Sequence, residues 1–307
     1  MKLTFPKIAF WAGIASASWI SGYLWTANFS YELSWVRAIY EGKNVAASQL
    51  ETTPNLFIVG GSGVHMGVDT KIISQTLGMP AINFGLHAAL GIEAIISSVE
   101  PKIQEGDVVL LIPEYAIASD EDGIGRLAGR FGFLTGIINS MDITWEEKAR
   151  SILEVGNPSL KSLYGGLLEI YRRTPAREYY TKEVDHLGNP TELKITNPKP
   201  GQLRAEPSNH VIQRIKEFKE YVDGQGAFLV LGLPWMLDTS DKQSQEAALR
   251  FIEAYERIAP VIYDDDYNLK TDQALFGDAV YHLSYRGVEQ RSKSISSQLK
   301  AVLSEKN

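Results

Sequence analysis

The sequence predicts an α/β protein with a doubly wound, five-stranded parallel sheet, a helical cap inserted into that sheet, and an N-terminal transmembrane helix. Three observations carry this prediction. From residue 55 onward, short apolar runs bounded by turn residues alternate with longer helical patterns, as in the crossover units of a parallel sheet. An uncharged run precedes them. A long segment without strand patterns separates the third apolar run from the fourth.

The uncharged run covers residues 8–31, between Lys7 and Glu32. It exceeds the roughly 20 residues that a helix needs to cross a bilayer. Lys2 and Lys7 lie on its short N-terminal side, which predicts a cytoplasmic N-terminus and a periplasmic or other extracytoplasmic location for the rest of the chain. We therefore assign residues 1–30 to a membrane anchor and residues 31–53 to a juxtamembrane helix and linker. A signal peptide cleaved after Ala15-Ser16-Ala17 is the alternative.

The remaining residues, 54–307, are assigned to a single sheet-containing domain. Its strand candidates are residues 56–59, 81–84, 108–112, 227–233 and 260–264. Helical patterns lie between and after them, at residues 68–78, 89–103, 208–222, 244–258 and 285–303. Residues 117–215 are too many for a loop in a compact domain, so they predict a cap insertion.

The composition excludes several classes of function. A formal net charge of -7 leaves no overall basic surface, which argues against a nucleic-acid partner. The chain has no cysteine, so thiolate nucleophiles and Cys-ligated metals are excluded. His65 and His87 follow neighbouring strands, but no metal-ligand spacing accompanies them. We expect neither a metal nor another cofactor.

In an open α/β sheet, ligands bind beyond the carboxyl ends of the strands. Ser62 follows the first strand within Gly60-Gly61-Ser62-Gly63, and Asp278 and His282 follow the last strand. A serine hydroxyl needs an imidazole base, and the imidazole needs a carboxylate to orient it, so these three side chains form a candidate catalytic set. As alternatives, Ser62 is the N-cap of a helix, and Asp278 with His282 is an i,i+4 pair on a helix surface. The nearby Gly277 and Gly287 favour a loop for that pair.

The order of these motifs resembles the SGNH or GDSL-type hydrolases. Within that superfamily, the chain is most similar to exported, membrane-anchored proteins of polysaccharide O-acetylation, such as the alginate acetylation proteins. The resemblance covers residues 54–115 and 225–300 and rests on the segments FIVGGSGVHMGVDTKIISQTLGMPAINFGLHAALG, GDVVLLIPEY and AVYHLSYRGVEQRS. It implies a flavodoxin-like sheet, Ser62 as nucleophile, His282 with Asp278 as base pair, and the N–H groups of Ser62 and Gly85 as oxyanion donors.

The chain departs from the superfamily at two places. Three residues separate Asp278 from His282, where the superfamily has two. The third strand is followed by Pro113-Glu114-Tyr115, without the asparagine that supplies a further oxyanion donor. Loss of one such donor costs roughly 3–4 kcal/mol of transition-state stabilisation.

Three further residues are candidates for the site. The amide of Asn83 and the hydroxyl of Tyr115 are possible replacements for the missing donor, whereas a carboxylate at Glu114 would oppose an oxyanion. His65 and Tyr115 are also the side chains that we expect to contact substrate.

The resemblance therefore implies an exported esterase or O-acetyltransferase that acts on acyl esters of a polysaccharide or another acylated carbohydrate. The expected partners are the membrane, through the N-terminal helix, and a membrane-bound O-acyltransferase. Two alternatives stay open. The first is a plain carbohydrate or lipid esterase, and the second is a non-catalytic member of the fold that binds polysaccharide or acts as a scaffold.

Overall fold

A computed structural model describes residues 5–50, 53–172 and 180–306 of the protein, which contain seven strands. They are β1 (Leu56–Gly60), β2 (Ala81–Gly85), β3 (Val108–Ile112), β4 (Phe228–Gly232), β5 (Met236–Leu237), β6 (Val261–Ile262) and β7 (Leu269–Lys270). Five of them form one sheet in the order β2-β1-β3-β4-β6, and every pair in it is parallel. The predicted α/β class and five-stranded parallel sheet are confirmed.

Helices fill the intervals between the strands. They are α1 (Phe5–Phe29), α2 (Tyr31–Ser48), α3 (Ser62–His65), α4 (Thr70–Leu77), α5 (Gly91–Val99), α6 (Tyr115–Ala118), α7 (Ala128–Thr135), α8 (Trp145–Val155), α9 (Leu160–Arg172), α10 (Asn209–Gly224), α11 (Lys242–Glu256) and α12 (Tyr285–Lys306). The five helical patterns predicted between and after the strands correspond to α4, α5, α10, α11 and α12.

The fifth strand is shorter than predicted. Only Val261 and Ile262 of the predicted residues 260–264 pair with β4. The chain leaves the sheet at Asp264, whose carboxylate accepts hydrogen bonds from Trp235 Nε1 and Lys270 Nζ, both at 2.8 Å. The small ladder β5–β7, which the sequence does not predict, lies beside this turn.

Both faces of the sheet are covered, as the doubly wound prediction requires. Leu56, Ile58 and Leu110 share one buried cluster with Ile73 of α4 and Ile295 of α12. On the other face, α5 contacts β1 and α10 contacts β4. Because side chains alternate between the faces, a strand buried on both sides is apolar at every position, as the run Val108–Ile112 is.

The described residues divide into two compact units. Residues 38–128 and 180–306 form the unit that contains the sheet, and residues 5–37 and 129–172 form the other. The predicted insertion at 117–215 is therefore divided: its ends belong to the sheet unit, and residues 129–172 belong with α1. Within that second unit, α1 contacts α8 and α9, and Trp19 Nε1 donates to the carbonyl of Ile152 at 2.9 Å.

The N-terminal helix differs from its prediction in one respect. Helix α1 covers most of the uncharged run, but no helix in the described parts of the chain is both long and apolar enough to cross a membrane. The transmembrane part of the prediction is therefore not supported. The physical reason is the polar content of the run, in which serines, Thr26 and Asn28 alternate with the apolar side chains.

Candidate active site

The carboxyl ends of β1, β2 and β3 meet at one edge of the sheet. Gly60, the last residue of β1, is in register with Gly85 of β2 and with Ile112 of β3. The residues that follow these three strands are therefore neighbours in space. This is the edge at which an open α/β sheet binds its ligands.

Ser62 begins the short helix α3 directly after the β1 turn. Gly61 holds the N-cap position, and no side chain caps the helix, so Ser62 does not serve as its N-cap. The side chain is partly exposed. Within the described residues, neither the N–H nor the Oγ of Ser62 forms a hydrogen bond. Both groups are thus available to a ligand.

Asp278 and His282 lie in the loop before α12, as the glycines beside them predict. His282 Nδ1 is 2.8 Å from Asp278 Oδ1. The Tyr180 hydroxyl donates to Asp278 Oδ2 at 2.7 Å and lies 3.3 Å from His282 Nδ1. When Nδ1 carries the proton and donates it in a hydrogen bond to Asp278, Nε2 of His282 presents a lone pair, which is the tautomer that a general base requires.

The pKa of Asp278 is lowered. Burial opposes ionisation of its carboxyl, but the hydrogen bonds from His282 and Tyr180 outweigh burial and hold the pKa below its usual value. The carboxylate is therefore ionised at neutral pH and can orient the imidazole.

The loop that carries His282 packs against the turn that carries Ser62. Leu283 N donates to the Met66 carbonyl at 3.3 Å, and a Cβ built on Gly63 would lie 3.3 Å from Tyr281 Cβ. The structure thus packs the loop of Asp278 and His282 against the turn of Ser62. No hydrogen bond joins Ser62 to His282 in the described residues; such bonds often tighten only when substrate is bound.

Asn83 and Gly85, the predicted oxyanion residues, are joined by a hydrogen bond. Gly85 N donates to Asn83 Oδ1 at 3.0 Å, and Asn83 Nδ2 donates to the carbonyls of Val64 and His65 at 3.3 and 3.1 Å. Asn83 is completely buried. Its amide therefore holds the turn after β1 against the end of β2 and does not face a substrate. The N–H of Ser62 has no hydrogen-bond partner in the described residues.

Glu114, the first residue after Pro113 at the end of β3, has its carboxylate inside the Ser62 turn. Its oxygens accept the N–H groups of Gly61 at 3.0 Å and of Gly63 at 2.6 Å. Burial raises the pKa of this carboxyl, although the two N–H groups and the charge of His282 oppose the shift. A negative group at this place was expected to oppose an oxyanion, and the structure puts it directly beside Ser62.

His65 and Tyr115, the predicted substrate contacts, are both buried in the protein, with His65 0% and Tyr115 1% exposed. The Tyr115 ring packs on Phe251 with 4.9 Å between the ring centroids. Burial lowers the pKa of His65 well below its usual value, and the positive charges of Lys43, His282 and His87 lower it further. Because both side chains are buried, neither offers a substrate at Ser62 an open surface to contact.

No arrangement of three or more His, Asp or Glu side chains suited to a metal ion occurs in the part of the chain that the structure describes. The run Asp264-Asp265-Asp266 is partly committed to other groups, because Lys270 pairs with both Asp264 and Asp266 at 2.8 Å.

Two residues of the site escaped the sequence analysis. Tyr180 lies 98 positions before Asp278, in a segment with no strand or helix pattern. No helix or strand periodicity points to it, and the loose family match of the segment YYTKEVDHLGNPT assigns it no role. Glu114 was noticed only as a misplaced charge, since a hydrogen bond to the turn after a neighbouring strand leaves no local sequence signal.

Neither a protein-family model nor a curated protein sequence matches the chain.

Proposed function

We propose that this protein is a serine-dependent acyl esterase or O-acyltransferase, with Ser62 as nucleophile, His282 as general base and Asp278 as the group that orients His282. One observation carries the proposal. The Asp278–His282 hydrogen bond of 2.8 Å lies in a loop that packs on the turn of Ser62, a partly exposed serine, and neither His282 Nε2 nor Ser62 Oγ has a hydrogen-bond partner in the described residues. The resemblance to the SGNH hydrolases supports the same assignment.

In the first step, Ser62 Oγ attacks the carbonyl carbon of an ester while its proton passes to His282 Nε2. The electron pair of the carbonyl moves to oxygen, where the N–H of Ser62 donates to it. The intermediate then collapses. The bond from the carbonyl carbon to the alcohol oxygen breaks, and His282 returns the proton to the leaving alcohol, which leaves an acyl group on Ser62.

In the second step, His282 takes a proton from an incoming water or hydroxyl group, whose oxygen attacks the carbonyl carbon of the acyl-serine. The intermediate collapses, the bond from that carbon to Ser62 Oγ breaks, and His282 returns the proton to Oγ, which regenerates the free serine. Attack by water completes hydrolysis, and attack by a sugar hydroxyl completes acyl transfer. We propose transfer to or from an acetylated, exported polysaccharide, on the strength of the family resemblance. A plain carbohydrate or lipid esterase uses the same steps with water alone.

Export and attachment to a membrane belong to the same proposal, with the N-terminus in the cytoplasm and a membrane-bound O-acyltransferase as partner. The support is the basic flank and uncharged run of the sequence, together with the exposed apolar side chains of α1, among them Phe5, Phe10 and Trp11. Fractionation of the intact chain tests it. Sedimentation with membranes and release only by detergent are expected, and recovery in the soluble fraction contradicts attachment.

A non-catalytic role is the second candidate, and a specific observation favours it. Of the donors around the site, Gly85 N–H is bonded to Asn83, and the N–H groups of Gly61 and Gly63 are bonded to Glu114. In the described residues, the N–H of Ser62 stays unbonded; the Tyr115 hydroxyl also has no partner, but it is buried. On this alternative the fold binds polysaccharide or acts as a scaffold for an acyltransferase.

Labelling with a fluorophosphonate probe and hydrolysis of an aryl acetate distinguish the two. We expect the wild type to be labelled and Ser62→Ala to be unlabelled, because the probe reacts with an activated serine. His282→Ala should lose about 10²–10⁴-fold in rate, which is the usual contribution of a general base.

Ser208→Ala is the matched control, because Ser208 is also a partly exposed serine at the start of a helix, α10. It should be labelled like the wild type. Equal labelling of the wild type and Ser62→Ala would sink the catalytic proposal. Polysaccharide binding that survives both Ser62→Ala and His282→Ala would then favour the scaffold.

A further inference from the structure

The carboxylate of Glu114 joins the two residues that flank Ser62. Its two oxygens accept one N–H each, from Gly61 and from Gly63, and the side chain is 1% exposed. These hydrogen bonds join the ends of two adjacent strands, β1 and β3. Gly60 of β1 is in register with Ile112 of β3, so Glu114, two residues beyond Ile112, reaches the residues just beyond Gly60.

The turn is built around this carboxylate. A Cβ on Gly61 would lie 2.4 Å from one Glu114 oxygen, closer than real Cβ atoms approach, and a Cβ on Gly63 would lie 3.2 Å from the other. A side chain at position 61 would therefore displace the Glu114 carboxylate from its present place. The glycines that expose the serine and the buried carboxylate that binds their N–H groups form one unit.

Two acceptors are needed here, and only a carboxylate of this length supplies both. The neutral amide of a glutamine offers one acceptor oxygen and places an NH₂ group against the second N–H, so one contact becomes donor against donor. An aspartate keeps both acceptors but is one methylene shorter. Between the two bonded N–H groups, the N–H and Oγ of Ser62 are left without partners in the described residues.

We propose that Glu114 is the positioning residue of the candidate nucleophile: by accepting the N–H groups on both sides of Ser62, it holds the N–H and Oγ of Ser62 ready for the same substrate. This inference rests on the proposed function, and it assigns to Glu114 a role different from that of an obstacle to the oxyanion. Glu114 does not touch the reacting atoms in this role. It acts through the geometry of the turn.

The chain offers a matched control at the opposite end of the same strands. Asp107 is also 1% exposed, and its carboxylate also accepts two backbone N–H groups, from Asn55 and from Gln104, both at 2.9 Å. Loss of this carboxylate damages the fold in a comparable way but does not reach Ser62. Glu114→Gln, Glu114→Asp and Asp107→Asn therefore separate positioning from general stability.

The first readout is kinetic, with kcat and KM measured for an aryl acetate. We expect Glu114→Gln to lose about 100-fold in kcat, the usual cost of a small misplacement of a reacting group, with KM changed by less than about threefold. Glu114→Asp should regain part of that loss. Asp107→Asn should keep the kcat of the wild type. Equal kcat in Glu114→Gln and the wild type, or a higher kcat in the variant, overturns the proposal.

The second readout does not depend on activity. Amide hydrogen exchange, followed by mass spectrometry, should lose protection over residues 60–66 in Glu114→Gln, whereas Asp107→Asn should lose it only at its own end of the strands. Unchanged protection over residues 60–66 overturns the inference even if the protein is inactive. If Glu114→Gln loses protection over residues 60–66 but the fluorophosphonate probe does not label Ser62 in the wild type, the proposed function fails and the ordering of the turn by Glu114 stands. If Glu114→Gln does not fold, Glu114→Asp carries both readouts.

Discussion

His282 is held through one nitrogen, and the group that holds it is itself held. Asp278 accepts from His282 with one oxygen and from the Tyr180 hydroxyl with the other, at 2.8 and 2.7 Å. Because both carboxylate oxygens are engaged, the carboxylate cannot turn away from the imidazole without breaking a second bond. The orientation of Nε2 is thus fixed by two residues.

Replacement of Tyr180 by phenylalanine tests this second bond. A hydrogen bond to a charged group contributes about 1.5–3 kcal/mol, so we expect Tyr180→Phe to lower kcat for an aryl acetate by roughly 10- to 100-fold. Tyr221→Phe is the control. Tyr221 lies on α10, away from the loop of His282, and its hydroxyl donates to the Glu100 carbonyl at 2.8 Å. Equal rates for Tyr180→Phe and the wild type would exclude a role for Tyr180.

The lowered pKa of Asp278 predicts an acid-sensitive contribution to stability. A carboxyl whose pKa is lower in the folded protein stabilises the fold at pH values above its unfolded pKa of about 3.9, and this contribution disappears as the pH falls through the folded value. The difference in unfolding free energy between the wild type and Asp278→Asn should therefore be constant above about pH 5 and shrink below about pH 4. Denaturant titrations across that range measure it. A difference that stays constant into the acid range contradicts the assignment.

At the residue scale, the strand-end rule and the nearby glycines predicted the location of the three residues of the proposed catalytic set, whose roles stay a proposal. Ser62, Asp278 and His282 were all predicted because each follows a strand or lies in a loop with nearby glycines. Three residues lie between Asp278 and His282, yet the loop still brings Nδ1 to 2.8 Å from Oδ1. The amide of Asn83 and the phenol of Tyr115 were misjudged because burial and bonding partners come from the tertiary structure, which no local pattern records.

At the scale of elements, a buried lysine ties α2 to the end of β2. Lys43 Nζ donates to the Asn83 carbonyl and to the Gly188 carbonyl, both at 2.7 Å, and to Asn83 Oδ1 at 3.1 Å. Burial lowers the pKa of Lys43 well below its usual value, which the charge of Asp185 partly opposes. The same Asn83 holds the Ser62 turn, so Lys43 supports the site from behind.

Removal of this lysine should weaken the fold. Lys43→Met leaves buried acceptors without a donor, and an unsatisfied buried group costs about 1–3 kcal/mol, so we expect a loss of unfolding free energy in that range. Lys242→Met, on the exposed surface of α11, should change it by less than about 0.5 kcal/mol. Urea denaturation measures both. A Lys43→Met variant as stable as Lys242→Met would mean that the hydrogen bonds of Lys43 do not stabilise the protein.

The sequence predicted the positions of β1, β2, β3 and β4 but overestimated the length of β6, which lies at one edge of the sheet. The runs at β1, β2, β3 and β4 are long and apolar, so their positions are specified by burial alone. The fifth run has the same residue types but is diverted at Asp264 by side chains from β7 and from the β5 region. Such a diversion depends on contacts that are distant in the sequence.

At the scale of the molecule, an ion-pair network joins the two helices that cover one face of the sheet. Arg214 of α10 donates to Glu93 of α5 at 3.0 Å and to Glu100 at 2.9 Å, and Glu93 is fully buried. Replacement of Arg214 takes the guanidinium away from the buried Glu93 carboxylate, which keeps the His210 imidazole, 3.5 Å away, among its neighbours. This is the arrangement in which a single substitution is strongly destabilising.

We expect Arg214→Met to lower the free energy of unfolding by about 3–5 kcal/mol. Arg250→Met is the control, because its pair with Glu206 is exposed and should contribute less than about 1 kcal/mol. Thermal or urea unfolding of the two variants makes the comparison. Equal stability of the two variants would contradict the importance of the buried network.

The division into two units was not predictable from the sequence. Amphipathic helical patterns at residues 145–172 indicate that these helices bury a face, but they do not say against which element. In the structure, α8 and α9 contact α1 within the same unit, and several apolar side chains of α9 stay exposed, among them Leu160, Tyr164 and Leu167. The sheet, by contrast, was predictable because its strands are contiguous apolar runs with a known rule for their order and ends.

The central claim is that Ser62 carries an acyl group during turnover. Rapid acid quenching of the protein with an aryl acetate, followed by intact mass and peptide mapping, tests it directly. We predict a mass increase of one acetyl group, located on the peptide that contains Ser62, in the wild type and not in Ser62→Ala. An acetyl group absent from this peptide, or equally present on it in Ser62→Ala, would contradict the claim.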